Sequence, residues 1–307
     1  METRKIGALE ASVVGLGCNN FGWRLDAGAT KTVVDTALDA GITFFDTAEI
    51  YGNGLSEEFL GRALGARRSQ VVIATKFGAR RDAPPGKGAR PEAIRAAVEG
   101  SLQRLGTDHI DLYQLHVPDP ETPIADTLGA LDELVRAGKV REIGCSNFSA
   151  AQLRETAAGV KPGAARFVSV QNEYNVLHRE PEPEVIPEMQ RTHLALLPYF
   201  PLASGLLTGK YRPGQVAPAG SRLSEGGLAD RFRTEANVAR VEALHRFVES
   251  RGHTLLELAF SWLVARPTVA SVIAGATSAE QVRANVAAAG WRLTADDLAQ
   301  VDALIRA

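Results

Sequence analysis

Four residues of the sequence could together move a proton and stabilise the charge that its transfer creates. Asp46, Lys76 and His116 each lie at the end of a short apolar run that is typical of a buried strand, and Tyr51 follows Asp46 by five residues. A tyrosine can donate a proton, but its ordinary pKa near 10 is too high for efficient work at neutral pH. A nearby cation lowers that pKa, and Lys76 and His116 are the candidates.

The apolar runs belong to a regular alternation of strand-like and helix-like segments. Strands are predicted at residues 13–17, 42–46, 71–76, 110–115, 140–145, 167–171, 194–199 and 269–274. Helices are predicted at residues 30–40, 56–64, 91–105, 123–137, 149–158, 183–192, 235–250, 254–265, 279–288 and 295–305. A hairpin is predicted at the N-terminus, over residues 4–14, and the last helix is an addition at the C-terminus.

This alternation predicts an α/β fold with a parallel sheet. Eight strand–helix units in 307 residues, without a Pro/Ser-rich linker, favour a single domain, 1–307, folded as a closed (β/α)8 TIM barrel. The C-terminal ends of the strands of such a barrel meet at one face, where active sites lie. Asp46, Lys76 and His116 end the second, third and fourth predicted strands, so they are predicted to be neighbours at that face.

Composition and charge argue against several classes of function. The apolar content of 45% and the charged content of 23% are ordinary for a soluble globular protein. The net charge of −2 gives no general electrostatic case for binding nucleic acid or an anionic membrane. Cys18 and Cys145 lie in apolar contexts and are predicted to be buried, reduced thiols. With no secretory signal and no apolar run of roughly 20 residues, a cytoplasmic location is predicted.

The common fingerprints of phosphate and metal sites are missing from the sequence. A doubly wound dinucleotide-binding fold carries G-x-G-x-x-G after its first strand, but here the stretch is Gly15-Leu16-Gly17-Cys18-Asn19-Asn20, without the third glycine. The P-loop pattern is also absent. There is no Cys-x2-Cys, no His-x3-His and no calcium-loop spacing of carboxylates, so no metal site is predicted.

An ordered set of motifs, which covers nearly the whole chain, resembles the aldo-keto reductase family. The motifs are Asp46-Thr47-Ala48-x-x-Tyr51-Gly52, Ser56-Glu57-Glu58-x-Leu60-Gly61, Lys76, His116, Gly144-Cys145-Ser146-Asn147-Phe148, Gln171-Asn172-Glu173-Tyr174-Asn175, and the stretches 201–211 and 275–285. Each motif alone is weak, but together and in the family's order they are specific. The resemblance implies the (β/α)8 barrel that the alternation already predicts.

The resemblance also implies a reaction, the reduction of an aldehyde or ketone by NADPH. In that reaction Tyr51 is the general acid, and the ammonium of Lys76, paired with Asp46, lowers the pKa of Tyr51. His116 hydrogen-bonds the substrate oxygen and orients it. The hydride comes from the nicotinamide, so the chemistry of that step belongs to the cofactor.

The cofactor contacts implied by the resemblance lie on strand ends and on the loop 202–210. They are Cys18, Asn19, Asp46, Ser146, Asn147, Gln171, Tyr199, Pro201, Leu202, Ser204, Gly205, Leu206, Lys210, Arg222, Gly275, Thr277, Gln281 and Asn285. Among them, Ser146, Asn147 and Gln171 suit the donors and acceptors of the nicotinamide carboxamide. Tyr199 is expected to stack on the nicotinamide ring, and Arg222 to lie near the 2′-phosphate of the adenosine.

The sequence departs from the family's pattern at Ser278. Many relatives carry Arg or Lys there, next to the residue matching Thr277, to hold the 2′-phosphate. Arg222 is the candidate substitute, so NADP is the expected cofactor and NAD stays open.

The substrate is expected to be a small carbonyl compound bound over the catalytic residues. The predicted walls are Phe21 and Trp23 together with Tyr51 and His116, and the loops 77–90, 178–183 and 211–234. Aromatic groups at the mouth suit apolar or flat compounds. Ketones, aldehydes, quinones and keto-sugars all remain open.

Two other functions stay open on the same scaffold. One is a cofactor-binding protein that senses or signals the redox state with little turnover, as channel-associated relatives do. The other is a keto-sugar reductase. The intact set of four favours an enzyme, and His116 is informative because the channel-associated relatives look to have Asn there. Nothing in the sequence points to an oligomeric partner.

Overall fold

A computed structural model describes residues 1–79, 88–211, 214–218, 221–224 and 226–306. Its strands are β1 (Thr3–Ile6), β2 (Leu9–Ser12), β3 (Val14–Gly17), β4 (Phe44–Asp46), β5 (Val72–Phe77), β6 (Ile110–Leu115), β7 (Val140–Ser146), β8 (Phe167–Gln171), β9 (Ala195–Leu196) and β10 (Val272–Gly275). Its helices are α1 (Ala27–Asp39), α2 (Leu55–Leu64), α3 (Pro91–Leu105), α4 (Ile124–Arg136), α5 (Ala150–Gly159), α6 (Val185–Thr192), α7 (Gly227–Phe232), α8 (Glu235–Glu249), α9 (Leu255–Val264), α10 (Ala279–Ala288) and α11 (Ala295–Arg306).

Eight of the strands form one parallel sheet that curls into a barrel. Their order is β10-β3-β4-β5-β6-β7-β8-β9. The two edge strands are joined through Leu196, whose N–H donates to the Thr268 carbonyl at 2.7 Å and whose carbonyl accepts from the Ala270 N–H at 2.9 Å. The prediction of a (β/α)8 barrel with an N-terminal hairpin and an additional C-terminal helix is confirmed.

The β1–β2 hairpin determines which end of the barrel stays open. Ile6, Leu9 and Ala11 of the hairpin are buried in one cluster with residues near the starts of the barrel strands, such as Phe44 and Val72. The hairpin therefore fills the N-terminal end of the barrel, and the C-terminal ends of the strands are left to form a site.

The seventh and eighth barrel strands are shorter than predicted. Only Ala195–Leu196 of the predicted strand 194–199 is regular, because Pro198 has no N–H to donate to a ladder. Pairing nevertheless continues beyond the proline, since the Tyr199 N–H donates to the Asn172 carbonyl at 3.1 Å.

A short helix, α7, and the 3-10 helix Ala203–Thr208 lie in a region that the sequence pattern left irregular.

Several helices begin at a residue whose side chain accepts from a free backbone N–H. At the start of α11, Thr294 and Asp297 exchange hydrogen bonds: the Thr294 N–H donates to Asp297 Oδ2 at 2.9 Å and the Asp297 N–H donates to Thr294 Oγ1 at 3.1 Å. Both cysteines are buried and free, as predicted. Within the described ranges, no helix is long and apolar enough to cross a bilayer.

Candidate active site

A buried ion pair lies at the C-terminal end of the barrel, between β4 and β5. Lys76 Nζ donates to Asp46 Oδ2 at 2.6 Å and to the Thr47 carbonyl at 2.8 Å. The Lys76 side chain is 0% exposed and the Asp46 side chain 4%. Charges buried to this degree need both a partner and hydrogen bonds, and here each has them.

Two amides hold the second oxygen of the Asp46 carboxylate. Gln171 Nε2, at the end of β8, donates to Asp46 Oδ1 at 2.9 Å, and Gln114 Nε2 on β6 lies 3.5 Å from the same atom. Sequence reasoning missed Gln114. The available signal was a polar residue two positions before His116, inside an otherwise apolar run. Four strands therefore fix the position of the carboxylate, and through it Lys76.

Tyr51 lies beside this ion pair, on a tight turn after β4. Lys76 Nζ is 5.2 Å from the centroid of the Tyr51 ring, and the His116 ring meets it edge-on with centroids 5.9 Å apart. The turn depends on Gly52, whose φ is 57° and where a Cβ would lie 2.9 Å from the Phe21 carbonyl oxygen. The structure thus brings the four predicted residues together.

The pKa of Tyr51 moves in the opposite direction to the expectation. Burial raises it above its ordinary value, the ammonium of Lys76 lowers it by less, and Asp46 raises it further. For Lys76, burial alone would lower the pKa, but Asp46 and Tyr51 raise it overall. Because burial outweighs the effect of the Lys76 ammonium, Tyr51 keeps its proton at neutral pH.

His116 is neutral. Burial, followed by the positive charge of Lys76, lowers the pKa of its imidazole to about 3. Its Nδ1 is buried without a hydrogen-bond partner among the described residues. A neutral imidazole has one N–H donor, and it can offer that donor to a carbonyl oxygen without releasing a proton.

A cavity of about 780 Å³ opens above these residues, a size that fits a cofactor or small-molecule site. The predicted residues that line it are Asn19, Asp46, Tyr51, His116, Ser146, Asn147, Gln171, Tyr199, Pro201, Leu202, Ser204, Gly205, Lys210, Arg222, Gly275, Thr277, Gln281 and Asn285. Residues that sequence reasoning missed also line it, among them Asn20, Arg24, Phe200, Thr208 and Ser221.

Four other predicted contacts do not line this cavity. Cys18, Phe21 and Leu206 are instead buried in the hydrophobic core. Trp23 is 64% exposed and lies outside the cavity wall. Of the predicted substrate loops, residues 80–87 of 77–90 and residues 212, 213, 219, 220 and 225 of 211–234 lie outside the described residues.

One end of the cavity carries a connected set of polar side chains. Asn147, whose φ is 63°, donates from Nδ2 to the His116 carbonyl at 2.9 Å and to Ser146 Oγ at 3.1 Å. The Tyr199 hydroxyl donates to Asn147 Oδ1 at 2.7 Å. The orientation of the Asn147 amide is therefore fixed from both sides, directly beside His116.

A loop with an unusual backbone, which follows Tyr199, also borders the cavity. Phe200, Ala203 and Ser204 have φ values of 51°, 46° and 56°, which side-chain-bearing residues rarely adopt and which are often found at functional sites. Ser204 Oγ is buried without a hydrogen-bond partner in the described part of the chain. Lys210 Nζ is near the same loop, 3.4 Å from where a Cβ of Gly205 would lie. An acceptor-rich anion would satisfy both groups.

Comparison with known proteins places this chain in one family. Residues 13–306 match the model of the aldo/keto reductase family. The chain is 36% identical over 276 residues to a probable voltage-gated potassium channel subunit beta of Oryza sativa subsp. japonica. The aligned region covers 87% of this chain and 84% of that protein. It is 35% identical over 305 residues to the aldo-keto reductase YhdN of Bacillus subtilis, and this aligned region covers 97% of this chain and 91% of that protein.

A solved structure has a similar fold to this chain. The glycerol dehydrogenase AKR11B4 from Gluconobacter oxydans superposes with a TM-score of 0.85 at 30% identity, over 99% of this chain and 94% of that one. The chain belongs to the aldo/keto reductase family. It is an oxidoreductase of the class that acts on the CH–OH or carbonyl group.

Proposed function

We propose that the protein reduces aldehydes or ketones with NADPH, with Tyr51 as the proton donor. The observation that carries the proposal is the phenol of Tyr51, which lines a cofactor-sized cavity together with a neutral His116 and lies above the buried Lys76–Asp46 pair. A protonated acid and a neutral hydrogen-bond donor at one point are what carbonyl reduction requires.

The cavity residues fit a phosphate-bearing dinucleotide. Ser204 Oγ is a buried polar atom without a hydrogen bond in the described part of the chain, and Lys210 and Arg222 add positive charge to the lining of the same cavity. Ser146, Asn147 and Gln171 lie together in that lining and would hold the carboxamide. When bound there, the cofactor supplies the hydride.

The chain's own residues then handle the proton. As the carbonyl oxygen gains charge, the Tyr51 hydroxyl donates its proton to it, and the imidazole of His116 donates a hydrogen bond to the same oxygen. The product is an alcohol, and the phenolate left on Tyr51 is stabilised by the Lys76 ammonium until water returns a proton. Asp46 keeps Lys76 charged and in place.

The test is Tyr51→Phe, assayed by NADPH oxidation against a panel of aldehydes, ketones, quinones and keto-sugars. Loss of a positioned proton donor is expected to lower kcat by about 10²–10⁴-fold. NADPH should still bind, as measured by titration calorimetry. The matched control is Tyr113→Phe, because the Tyr113 hydroxyl is buried without a partner among the described residues and lies outside the cavity. Near-wild-type turnover in Tyr51→Phe would refute the assignment.

The similarity to the rice channel subunit favours one second candidate, a regulatory protein that binds NADPH with little turnover. The same panel distinguishes the two. A regulatory protein would bind NADPH but reduce none of the compounds, whereas the enzyme turns over at least one class of them in a Tyr51-dependent way.

A further inference from the structure

The turn that carries Tyr51 has a strained backbone. Gly52, Asn53 and Gly54 have φ values of 57°, 55° and 90°, so three successive residues lie in the left-handed region. Neither Ile50 before the turn nor Gly54 before α2 provides a side-chain cap. A side-chain-bearing residue in this region persists only where its surroundings fix it. The contacts around the turn therefore determine where the Tyr51 hydroxyl lies.

Both ends of the turn are tied to neighbouring residues of β5. Before the turn, the Glu49 N–H donates to the Lys76 carbonyl at 3.1 Å. After the turn, Glu57 Oε1 on α2 accepts from the Thr75 hydroxyl at 2.5 Å. Successive side chains of a strand lie on opposite faces of the sheet, so Thr75 contacts α2 while Lys76 contacts Asp46. The strand end that carries the catalytic lysine is therefore also the point to which α2 is attached.

Glu57 is a fully buried carboxylate paired with a cation of α3. Its side chain is 0% exposed, and its Oε2 accepts from Arg104 Nε at 2.7 Å. The Arg104 side chain also covers the end of the turn, since a Cβ on Gly54 would lie 2.7 Å from Arg104 Cδ. Because a buried charge is costly to leave without its partners, this pair holds α2 against β5 and α3.

Ser56, the residue before Glu57, provides a second attachment. It is 0% exposed, and its hydroxyl donates to the Cys18 carbonyl at 2.8 Å and shares a hydrogen bond of 2.8 Å with Thr47 Oγ1. Cys18 follows β3, and Thr47 follows β4. The start of α2 is therefore fixed to the ends of three neighbouring strands, β3, β4 and β5.

We propose that Glu57 and Arg104 are positioning residues, which hold α2 so that the Tyr51 hydroxyl lies correctly relative to the Lys76 ammonium. Both residues are outside the lining of the cavity, so they act through the turn and touch neither substrate nor cofactor. The inference rests on the proposed function, because it takes Tyr51 as the proton donor. A misplacement of about 1 Å at a reacting group can lower a rate by about 100-fold, so a small shift of α2 is sufficient.

The test measures the rate of NADPH oxidation in a single turnover and the Kd for NADPH, in the wild type and in Glu57→Gln. The carbonyl compound is one that the wild type reduces. Glutamine keeps the size of the side chain and an oxygen for the Thr75 hydroxyl, but it loses the charge that pairs with Arg104. The single-turnover rate should fall by about 10–100-fold. The Kd for NADPH should stay within about twofold of the wild type, because Glu57 does not line the cavity.

Asp111→Asn is the matched control. The Asp111 side chain is also buried, at 1% exposed, and it pairs with Arg68 at 2.7 Å and with Arg141 at 2.8 Å. It lies near the start of β6, whereas the site lies at the other end of the strands. Asp111→Asn should lower the urea midpoint as Glu57→Gln does, but it should leave the single-turnover rate within about twofold. The comparison separates positioning of Tyr51 from a general loss of stability.

A second pair of variants changes the partner of Glu57. The Arg104 side chain is 31% exposed, so its replacement is easier for the fold to accept. Arg104→Met should slow the single turnover as Glu57→Gln does. Arg104→Lys keeps a cation beside Glu57 and should recover most of the rate.

Two results would overturn the inference. One is a single-turnover rate in Glu57→Gln and Arg104→Met that falls no further than in Asp111→Asn. The other is a rise in the Kd for NADPH that accounts for the whole loss of rate. In both cases the wild type still reduces a carbonyl, so the proposed function survives. Failure of the proposed function has a different signature, namely a wild type that oxidises NADPH with no compound.

Discussion

The buried Lys76–Asp46 pair leads to a prediction in which the sign of a mutational effect reverses. Lys76→Met removes the ammonium but keeps much of the side-chain volume. Among the described residues, Gln171 and Gln114 are then the side chains left to donate to the buried Asp46 carboxylate. Removing one partner of a buried pair costs about 3–5 kcal/mol of unfolding free energy. Because Gln171 still donates to the carboxylate at 2.9 Å, we expect a loss at the lower end of that range.

Adding Asp46→Asn should have opposite effects in the two backgrounds. In the wild type it leaves the Lys76 ammonium uncompensated and is expected to destabilise by a similar ~3 kcal/mol. In the Lys76→Met background it removes the stranded carboxylate, so it should stabilise, and the two effects should differ by a coupling energy of at least about 3 kcal/mol. Turnover should stay low in all three variants, because each of them lacks the charged Lys76–Asp46 pair that supports Tyr51.

Urea unfolding followed by tryptophan fluorescence measures these free energies. The control cycle is Arg95→Met with Glu133→Gln, an exposed pair whose side chains are 50% and 60% accessible at a separation of 2.6 Å, where about 1 kcal/mol or less is expected. If Asp46→Asn destabilises the Lys76→Met protein as much as it destabilises the wild type, the account of the buried pair is wrong.

Two further predictions concern residues beside Tyr51. His116 has a folded pKa of about 3 against an ordinary value near 6.5, so the unfolded chain takes up a proton that the folded protein does not. The stability that this group contributes is present above about pH 6.5 and is lost as the pH falls towards 3, by up to about 1.4 kcal/mol per pH unit. The variant His116→Asn should therefore flatten the plot of urea midpoint against pH between these values. An unchanged slope would contradict the burial of the ring. Tyr199→Phe removes the 2.7 Å bond to Asn147 and should raise the Kd for NADPH about threefold to tenfold, without changing the Kd for adenosine 2′,5′-bisphosphate. Equal weakening of both ligands would show that the hydroxyl does not act through the nicotinamide end.

The order of elements along the chain was sufficient to predict the barrel and the four central residues. Asp46, Lys76 and His116 stand at the ends of successive apolar runs, and a parallel barrel has to bring such ends to one face. Local signals also located most of the helices, because capping residues and glycine stops act within a few positions of where they stand in the sequence.

Strand lengths near the closure of the barrel were harder to predict. The run 194–199 reads as one strand, yet Pro198 interrupts its ladder and only Ala195–Leu196 is regular. Which of two neighbouring residues lines the cavity was also beyond the pattern. Cys18, Phe21 and Leu206 adjoin cavity residues in the sequence, but they are packed in the hydrophobic core and do not line the cavity.

The electrostatic balance of the site depends on contacts between residues that are distant in the sequence. Gln171 reaches Asp46 across 125 residues, and Asn20 reaches Arg222 across 202. The sequence correctly indicated that a lysine paired with Asp46 stands near Tyr51, but not that burial outweighs the lysine charge and raises the pKa of the phenol. Whether a cation lowers a neighbour's pKa depends on burial and on every other charge nearby, and only the three-dimensional arrangement sets these.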